Sequence, residues 1–423
     1  MSVAVLRPAL RPAWQLPRTA QSAFFLKAGL VFAVLALTVL DRFGLHVTSS
    51  WSMPAALAAM YALVAIMVLT DTAQIDPRAA ALFVALVTVA GASYLLNTWF
   101  EPRALRTVTA LLLVALSYAP FVIRLAPAAA DARLWRWTLR LFANAAALVA
   151  VAGIVQFFAQ FVTDAGWLFN YTPLIPEAVR TSGNWNTVHP VASWVQADGY
   201  WIKSNGFFMR EASFFSVVLA YGIVCELILG VRRWAVVVMA AGLVLSYSGS
   251  GLVALAVALV FPLERRTLLR VLGAGACVAA VVYLLGDTLN LSYTVDRIAE
   301  FGDEKSSAYC RFLQPAVAVA QGLQIDPWSA LLGHGPGSLT RWGMTCADLH
   351  EPTYGKLLFE YGLLGAFAFG GLLLLALNRS QAPLRLRMAL AVSWLFVGGN
   401  LVSSEVLTMI FLFCAVWPKS PSS

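Results

Sequence analysis

The sequence predicts an all-α polytopic membrane protein, and three observations lead to this fold class. Apolar residues make up 60% of the 423 residues and only 12% are charged, whereas about 25% of a soluble domain is charged. The mean hydropathy is +0.76. Apolar runs recur from residue 23 to residue 417 and leave no stretch of soluble-domain size between them. We therefore expect a single integral membrane domain over residues 1–423.

The apolar runs, taken in order, predict about twelve transmembrane helices, since a span needs about 20 apolar residues and somewhat fewer in a tightly packed bundle. The first run has a basic flank but no small-residue cleavage site after it, so we expect a retained helix rather than a signal peptide. The predicted spans are residues 23–41, 52–70, 79–97, 107–126, 138–162, 210–230, 234–247, 251–263, 271–286, 357–377, 388–402 and 404–417.

Arginine alternates between the connections, and this predicts the orientation of the spans. With the N-terminus inside, the cytoplasmic connections carry most of the arginine, in agreement with the positive-inside rule. These residues are Arg7, Arg11, Arg18, Arg133, Arg136, Arg232, Arg233, Arg265, Arg266, Arg270, Arg379, Arg385 and Arg387. The same alternation places two long periplasmic inserts, 163–209 and 287–356, on the outer face, where function should be sought. Topology thus accounts for the net charge of +8, and no nucleic-acid partner is expected.

Other sequence patterns exclude several kinds of site. The sequence has no HExxH motif, no paired carboxylates at metal-ligand spacing and no nucleotide-binding glycine loop, so we expect no metal and no cofactor. Cys225, Cys277 and Cys414 fall in predicted spans as small apolar residues. Cys310 and Cys346 share the second insert, where they either pair in an oxidising periplasm or remain free thiols.

Charged residues gather ahead of the span that begins at residue 210. The stretch WIKSNGFFMREASFFSVV, residues 201–218, carries Lys203, Arg210 and Glu211. A single charge at a helix mouth is usually an anchor that reaches the interface. Three together favour an anion site, because the arginine fork matches phosphate oxygens and lysine adds a point charge. Further along, LSYSGSGL, residues 245–252, predicts a tight turn or close helix contact rather than an anion site at a helix N-terminus.

The second insert ends in GHGPGSLTRWGMTCADLHEPTYGKLLFEYG, residues 333–362, and its earlier part, 309–322, predicts an amphipathic helix at the membrane interface. His350 lies just ahead of a span, and an imidazole that titrates near neutral pH suits a general base toward a sugar hydroxyl. Glu360 is expected about two turns into the membrane, where a carboxylate is either functional or a structural hydrogen-bonding group. His334, in the glycine-rich part, is interpreted as scaffold.

Three motifs in this order resemble the bacterial O-antigen ligase and polymerase superfamily, to which WaaL and Wzy proteins belong. SNGFFMREASFFS is similar to its GFF-x-EPS element and LSYSGSGL to its small-residue turn. GHGPGSLTRWG, followed by LHEPTYGKLLFEYGLLGAFAF, is similar to its glycine-rich segment and histidine-bearing helix. The resemblance covers roughly residues 200–380 and implies a GT-C-like bundle. It also implies a glycosyltransferase that takes its glycan from undecaprenyl diphosphate outside the inner membrane, with inversion and without a metal.

The resemblance also implies roles for individual residues. His350 would be the base or orient the acceptor hydroxyl, while Glu211 and Glu360 would hold and orient the reacting groups. The basic residues that would bind the diphosphate are Lys203, Arg210, Arg311 and Arg341. Cationic side chains stabilise the charge that develops on such a leaving group. Two motifs depart from the family pattern, with His-Glu in place of His-Asn and Glu-Ala-Ser in place of Glu-Pro-Ser.

The preferred interpretation is a polymerase of O-antigen, capsule or exopolysaccharide in the bacterial inner membrane, with its active site facing the periplasm. The alternative is a ligase that transfers the glycan to lipid A-core, because one sequence does not fix the acceptor. A transporter of polyprenyl-linked glycan would need inverted repeats and polar residues spread over several spans, and neither is found. The expected partners are the undecaprenyl-diphosphate-linked glycan and the lipid bilayer, and a chain-length regulator remains an open question.

Overall fold

The structure is a computed structural model that describes residues 20–48, 51–100, 105–163, 166–181, 202–230, 232–261, 309–310, 313–325, 328–341, 352–397 and 401–419. Helices dominate these residues, as the apolar composition predicts, because a backbone in lipid must satisfy its own N–H and C=O groups. The predicted span 271–286 lies outside the described residues.

The longer helices overlap the predicted apolar runs, although some bounds differ by six to eight residues, as where the predicted run 107–126 gives a helix that ends at Tyr118. In chain order the helices are α1 (Ala20–Thr38), α2 (Ala55–Leu69), α3 (Pro77–Phe100), α4 (Leu105–Tyr118), α5 (Ala132–Ala159), α6 (Ala212–Leu229), α7 (Arg233–Leu245), α8 (Gly249–Val260), α9 (Gln314–Ile325), α10 (Ser329–Leu332), α11 (Ser338–Arg341), α12 (Thr353–Asn378), α13 (Leu384–Phe396) and α14 (Ser404–Ile410). A π-helical turn, Phe411–Ala415, continues α14, and single 3-10 turns lie at Ala119–Val122, Gly166–Leu168, Thr172–Leu174 and Glu177–Val179.

Two short antiparallel strand pairs add to the predicted helices. β1 (Gly44–Thr48) pairs with β2 (Trp51–Pro54), and β3 (Ala73–Ile75) pairs with β4 (Ile123–Leu125). All four strands lie in connections next to helix ends. Pairing satisfies backbone groups there that no helix satisfies. Strands this short form no long apolar run in the sequence.

The longer helices pack into two neighbouring groups. In the first group α5 contacts α6 and α7, α6 also contacts α7 and α8, and α1 packs between α2 and α5. In the second group α12 lies against α3 and α13, and α13 contacts α8 to join the two groups. Small residues allow the closest approach, as at Gly251 of α8, where an added Cβ would collide with the backbone carbonyl of Ser216 in α6.

The C-terminal segment lies at the centre of the bundle. Every side chain from residue 404 to residue 414 is buried. The Trp135 indole donates to the Phe413 carbonyl at 3.1 Å, and the Thr408 hydroxyl donates to the Ala56 carbonyl at 3.1 Å. Phe413 also meets Phe142 edge to face at 5.0 Å. A helix that is apolar on all sides belongs in such a core, so the last predicted span, 404–417, is an interior element.

The helix lengths support a membrane protein but not a count of twelve spans. In the described ranges, five helices are long and apolar enough to cross a membrane: α1, α3, α5, α6 and α12. Shorter apolar helices include α2, α7 and α8, which have 15, 13 and 12 residues. At about 1.5 Å per residue these fall short of the about 30 Å of a hydrocarbon core.

Residues that the charge pattern assigns to the same side meet at the same end of the bundle. Arg210 contacts both Asp41 and Glu405 at one end, here called the Arg210 end. Asp76 contacts both Arg124 and Arg379 at the other, here called the Asp76 end. Both sets join residues that are far apart in the chain. In each set, the residues come from helix ends that the predicted alternation of helix direction assigns to the same side.

Candidate functional site

The first part of the candidate site is built around the start of α6. The helix begins at Ala212, and Glu211 precedes it in extended conformation. The Ser213 hydroxyl donates to the Glu211 carboxylate at 2.6 Å, which fixes that carboxylate beside the helix mouth. Arg210 is the residue before, so the charged pair predicted from the sequence does lie at the entry to an apolar helix.

Arg210 is held by two carboxylates from distant parts of the chain. Its Nη2 donates to Asp41 Oδ1 at 3.1 Å and to Glu405 Oε1 at 2.5 Å, and its backbone N–H donates to Asp41 Oδ2 at 2.7 Å. The three side chains are only 15%, 1% and 10% exposed, in the order Arg210, Asp41 and Glu405. Burial lowers the pKa of Arg210, but the charges of both carboxylates outweigh burial and raise it above its usual value. We call these three residues the Arg210 cluster.

Sequence reasoning missed the two acidic members of the Arg210 cluster. Asp41 stands at the end of the first apolar run and Glu405 near the start of the last, in the stretches DRFG and SSEV. An acid at the end of an apolar run was a signal that could have marked them as candidates. Only the fold, which brings the first and last spans together at the mouth of α6, pairs them with Arg210.

Arg42, next to Asp41, fixes the first insert against the Arg210 end. Its guanidinium is fully buried and donates to four neutral oxygens instead of a carboxylate. The acceptors are Asn170 Oδ1, Thr172 Oγ1, the Phe169 carbonyl and the Met209 carbonyl. Burial lowers the pKa of Arg42, although an arginine side chain remains protonated. Residues 169–172 are thereby tied to Met209, which precedes Arg210.

A polar network positions the segment that precedes Arg210. Gln156 of α5 donates to Asn205 Oδ1 at 2.7 Å and accepts from the Ser204 hydroxyl at 3.0 Å. Asn205 Nδ2 donates to the Phe169 carbonyl at 2.8 Å. Phe207 adopts a φ of +67°, rare for a bulky residue, and its ring stacks on Tyr171 at 4.8 Å. Lys203 lies half-buried on this same segment.

The small-residue turn before α8 is a helix contact, as the sequence favours. The chain reverses at Tyr247, whose φ is +46°, and α8 begins at Gly249. The Gly251 N–H donates to the Ser216 hydroxyl of α6 at 3.0 Å. One of the N–H groups at this helix start is therefore used by a hydrogen bond within the protein, so it is not free to bind an anion.

The second part of the candidate site is the glycine-rich segment packed against a break in α12. Gly362 of α12 has non-helical φ and ψ of 63° and −163°. The break exposes carbonyls that neighbours satisfy: the His334 N–H donates to the Phe359 carbonyl at 2.8 Å and the Gly335 N–H to the Glu360 carbonyl at 3.0 Å. Gly333 has a positive φ and no room for a Cβ against the backbone of Glu360, which explains its glycine.

Glu360 and His334 are both buried in this second part. They are 4% and 5% exposed, and the imidazole of His334 packs on Phe359 at 4.7 Å. Ser93 of α3 donates to the Glu360 carbonyl at 2.9 Å, which ties α3 to the break. Glu360 is therefore buried within the protein, while its depth in the membrane stays a prediction. The packing of His334 agrees with a scaffold role, which remains a prediction.

The described residues bring together some of the predicted site residues but not all. Arg210 and Glu211 share the mouth of α6, and Lys203 lies on the segment that precedes them. Glu360 lies in the separate cluster at the α12 break. His350 and Arg311 lie outside the described residues, and for Arg341 the structure describes only its place at the end of α11. Cys310 is disulfide-bonded, and Cys346 lies outside the described residues. In the described ranges, no cluster of three or more His, Cys, Asp or Glu residues could hold a metal.

Comparison with known proteins gives the family of this chain. The model of the WcaD colanic acid polymerase family matches residues 52–418, which include the Arg210 and Glu405 members of the cluster and the α12 break. No curated protein matches the chain. The match agrees with the Wzy-like resemblance seen in the three sequence motifs. Because it spans most of the sequence, the chain belongs to the WcaD colanic acid polymerase family.

Proposed function

We propose that this protein is a membrane glycosyltransferase that polymerises oligosaccharide repeat units carried on undecaprenyl diphosphate. It acts at the periplasmic face of the bacterial inner membrane, uses no metal and inverts the anomeric carbon. The family match supports polysaccharide synthesis, and the long apolar helices support a membrane location.

The observation that carries this proposal is the buried, doubly held guanidinium of Arg210. An arginine presents its donors in a fixed fork that matches phosphate oxygens. Asp41 and Glu405 hold that fork in place, so less side-chain entropy is lost when a diphosphate binds. The two carboxylates and one guanidinium of the Arg210 cluster together carry a net negative charge, which would repel the donor's diphosphate. Lys203, Arg311 and Arg341 would supply the compensating positive charge.

The proposed reaction is a single displacement. A hydroxyl of the acceptor glycan attacks the anomeric carbon on the face opposite the diphosphate. The new C–O bond forms as the bond to the diphosphate oxygen breaks, and undecaprenyl diphosphate leaves with the electron pair. His350 takes the hydroxyl proton, and Glu211 and Glu360 orient the groups. The basic side chains stabilise the charge that develops on the leaving group.

The test compares Arg210→Gln and His350→Ala with Arg140→Gln, each expressed in a strain deleted for the gene. Arg140 is a matched control because it also binds a buried carboxylate, Glu226, but at the Asp76 end, where Arg232 binds the same carboxylate. We expect the first two variants to lower polymer yield by about 100-fold or more, with Arg140→Gln close to wild type. Surface glycan resolved by gel, with protein levels matched by immunoblot, gives the readout.

The glycan pattern separates the possible functions. Single repeat units attached to their acceptor, without a ladder, support a polymerase. Long lipid-linked polymer without attachment would instead indicate the ligase. Unaltered glycan in both site variants would overturn the proposal. A second assay, with purified protein and undecaprenyl-diphosphate-linked repeat units in the presence of EDTA, should still yield a ladder if no metal takes part.

A further inference from the structure

A cluster of three charged residues lies at the Asp76 end, away from the candidate site. Arg379, which follows the last turn of α12, donates through Nη1 to both carboxylate oxygens of Asp76, at 2.9 and 2.6 Å. Arg124 of β4 places its Nη1 3.2 Å from Asp76 Oδ2. The Asp76 side chain is 7% exposed, and the two arginine side chains are 23% and 30% exposed. The arginines therefore reach the surface while their shared carboxylate does not.

The carboxylate oxygens of Asp76 are fully used by hydrogen bonds and ion pairs. Its Oδ1 also accepts the backbone N–H groups of Arg78 and Ala79, at 3.0 and 3.5 Å, and so caps α3. Burial raises the pKa of Asp76, but the hydrogen bond from Arg379 and the charge of Arg124 outweigh burial and lower it. With Asp76 ionised, two guanidinium groups face one carboxylate, so the cluster carries a surplus positive charge.

The two guanidinium groups also have a surplus of donors. Within the described residues, each makes its side-chain hydrogen bonds or ion pairs through Nη1 alone. The Nε of Arg124 is buried there without a hydrogen-bond partner. An oxyanion next to both arginines would accept from the guanidinium donors that Asp76 does not use. The geometry therefore favours an anion with several oxygens, such as a phosphate group.

A small, shallow cleft with room for about one water-sized group opens beside this cluster. Its wall includes Phe121, Leu372, Leu375 and Ala376, and the charged groups of Asp76, Arg124 and Arg379 line the same cleft. Exposed apolar residues lie at this level of the bundle, including Leu69 at 85%, Ile75 at 66% and Leu374 at 55%. Such exposure is expected where side chains face lipid. The cleft thus places two arginines beside apolar side chains at a lipid-facing level.

We propose that this cleft, here called the Asp76 cleft, binds an anionic phospholipid. Arg124 and Arg379 bind its phosphate oxygens, and its acyl chains remain in the surrounding lipid. A bound lipid would join β4 to the ends of α3 and α12. The site is independent of polymer synthesis and uses none of the residues proposed for that reaction.

The experiment measures lipid binding by the full-length protein, purified in detergent, using native mass spectrometry and thermal stability. The probes are phosphatidylglycerol, phosphatidylcholine and inorganic phosphate. The variants are the double substitution Arg124→Gln with Arg379→Gln and a control pair, Arg133→Gln with Arg136→Gln, at exposed positions of α5 near the same end. We expect phosphatidylglycerol to bind wild type and control alike, and the double variant about tenfold more weakly, because bidentate phosphate contacts are lost.

Each other outcome has a defined meaning. Equal phosphatidylglycerol binding by the double variant and wild type would overturn the proposal. Equal stabilisation by inorganic phosphate, or by phosphatidylcholine, would also overturn it, because the site would then not select an anionic lipid. If the double variant does not fold, the phosphatidylglycerol binding of Arg124→Lys is measured instead. This variant keeps the charge next to Asp76 but removes the unpaired Nε and the fork, so it should fold and bind phosphatidylglycerol several-fold more weakly. Unchanged binding by that variant would count against the site.

Discussion

Two neighbouring acidic and basic residues, Asp41 and Arg42, organise the Arg210 end in different ways. Asp41 forms an ion pair with Arg210, whereas Arg42 donates only to neutral oxygens of the first insert and of Met209. The neutral acceptors fix the geometry of the Arg42 guanidinium, and the charge of Asp41 acts on it electrostatically without a hydrogen bond. The residue that orients Arg210 and the residue that holds the surrounding backbone are thus adjacent in sequence.

At the residue scale, we predict that Arg42→Gln destabilises the protein by about 3 kcal/mol, because it leaves buried acceptors unpaired. Glutamine has one amide group and cannot reach all four oxygens. Thermal unfolding of purified protein in detergent should show a clearly lower Tm. The control is Arg133→Gln at an exposed position, expected within about 0.5 kcal/mol of wild type. A Tm for Arg42→Gln equal to that of the control would contradict this account.

At the scale of elements, the break in α12 is what allows the glycine-rich segment to approach. An unbroken helix would bond its own carbonyls at residues 359 and 360, whereas here they accept from His334 and Gly335. Gly362 makes the break because its φ and ψ are accessible essentially to glycine alone. Helix, loop and α3 therefore meet at one place, where Glu360 and Ser93 lie.

We predict that Gly362→Ala destabilises the protein by about 3 kcal/mol or more and abolishes polymer formation. A Cβ at this position would stand 2.5 Å from the Leu331 carbonyl. The matched control is Gly370→Ala in the same helix, where nothing lies within 4 Å of an added Cβ. That substitution should be neutral or stabilise by up to about 1 kcal/mol. The two variants are compared by Tm and by polymer ladder, and similar values for both would show that the break has no structural role.

At the scale of the whole molecule, the bundle has two ends with different chemistry. The Arg210 end carries acids and bases that form the mouth of α6, while the Asp76 end carries surplus arginine. The positive-inside rule predicts that the arginine-rich end lies in the cytoplasm. The proposed function requires the same orientation, with the candidate site facing the periplasm.

This orientation predicts the result of cysteine labelling with a membrane-impermeant maleimide. His46→Cys, exposed on β1, should be labelled in cells with a permeabilised outer membrane, because it lies at the Arg210 end. Arg136→Cys, exposed near the start of α5, should be labelled only after the inner membrane is disrupted. Wild type, whose Cys225 and Cys414 are free but buried, provides the background. The reverse pattern would invert the proposed topology.

The sequence predicts the fold class and most helices because lipid imposes a simple physical requirement. A segment in the membrane must be apolar and must satisfy its own backbone, so the runs that became α1, α3, α5, α6 and α12 can be read directly from composition. The strand pairs and the break at Gly362 could not be read in this way. They depend on which backbone groups are left unpaired once helices have packed.

For the site, the sequence identifies Lys203, Arg210, Glu211 and Glu360 as polar residues where an apolar helix begins, and the motif order indicates the family. It does not identify Asp41 and Glu405 as partners of Arg210. Ion pairing depends on distance in space, and these residues stand 169 and 195 positions from Arg210 in the chain. Solvation by lipid acts on each segment separately, so the sequence determines the helices and their alternation. Contacts between charges arise only after packing, so the tertiary structure alone decides which carboxylates hold Arg210.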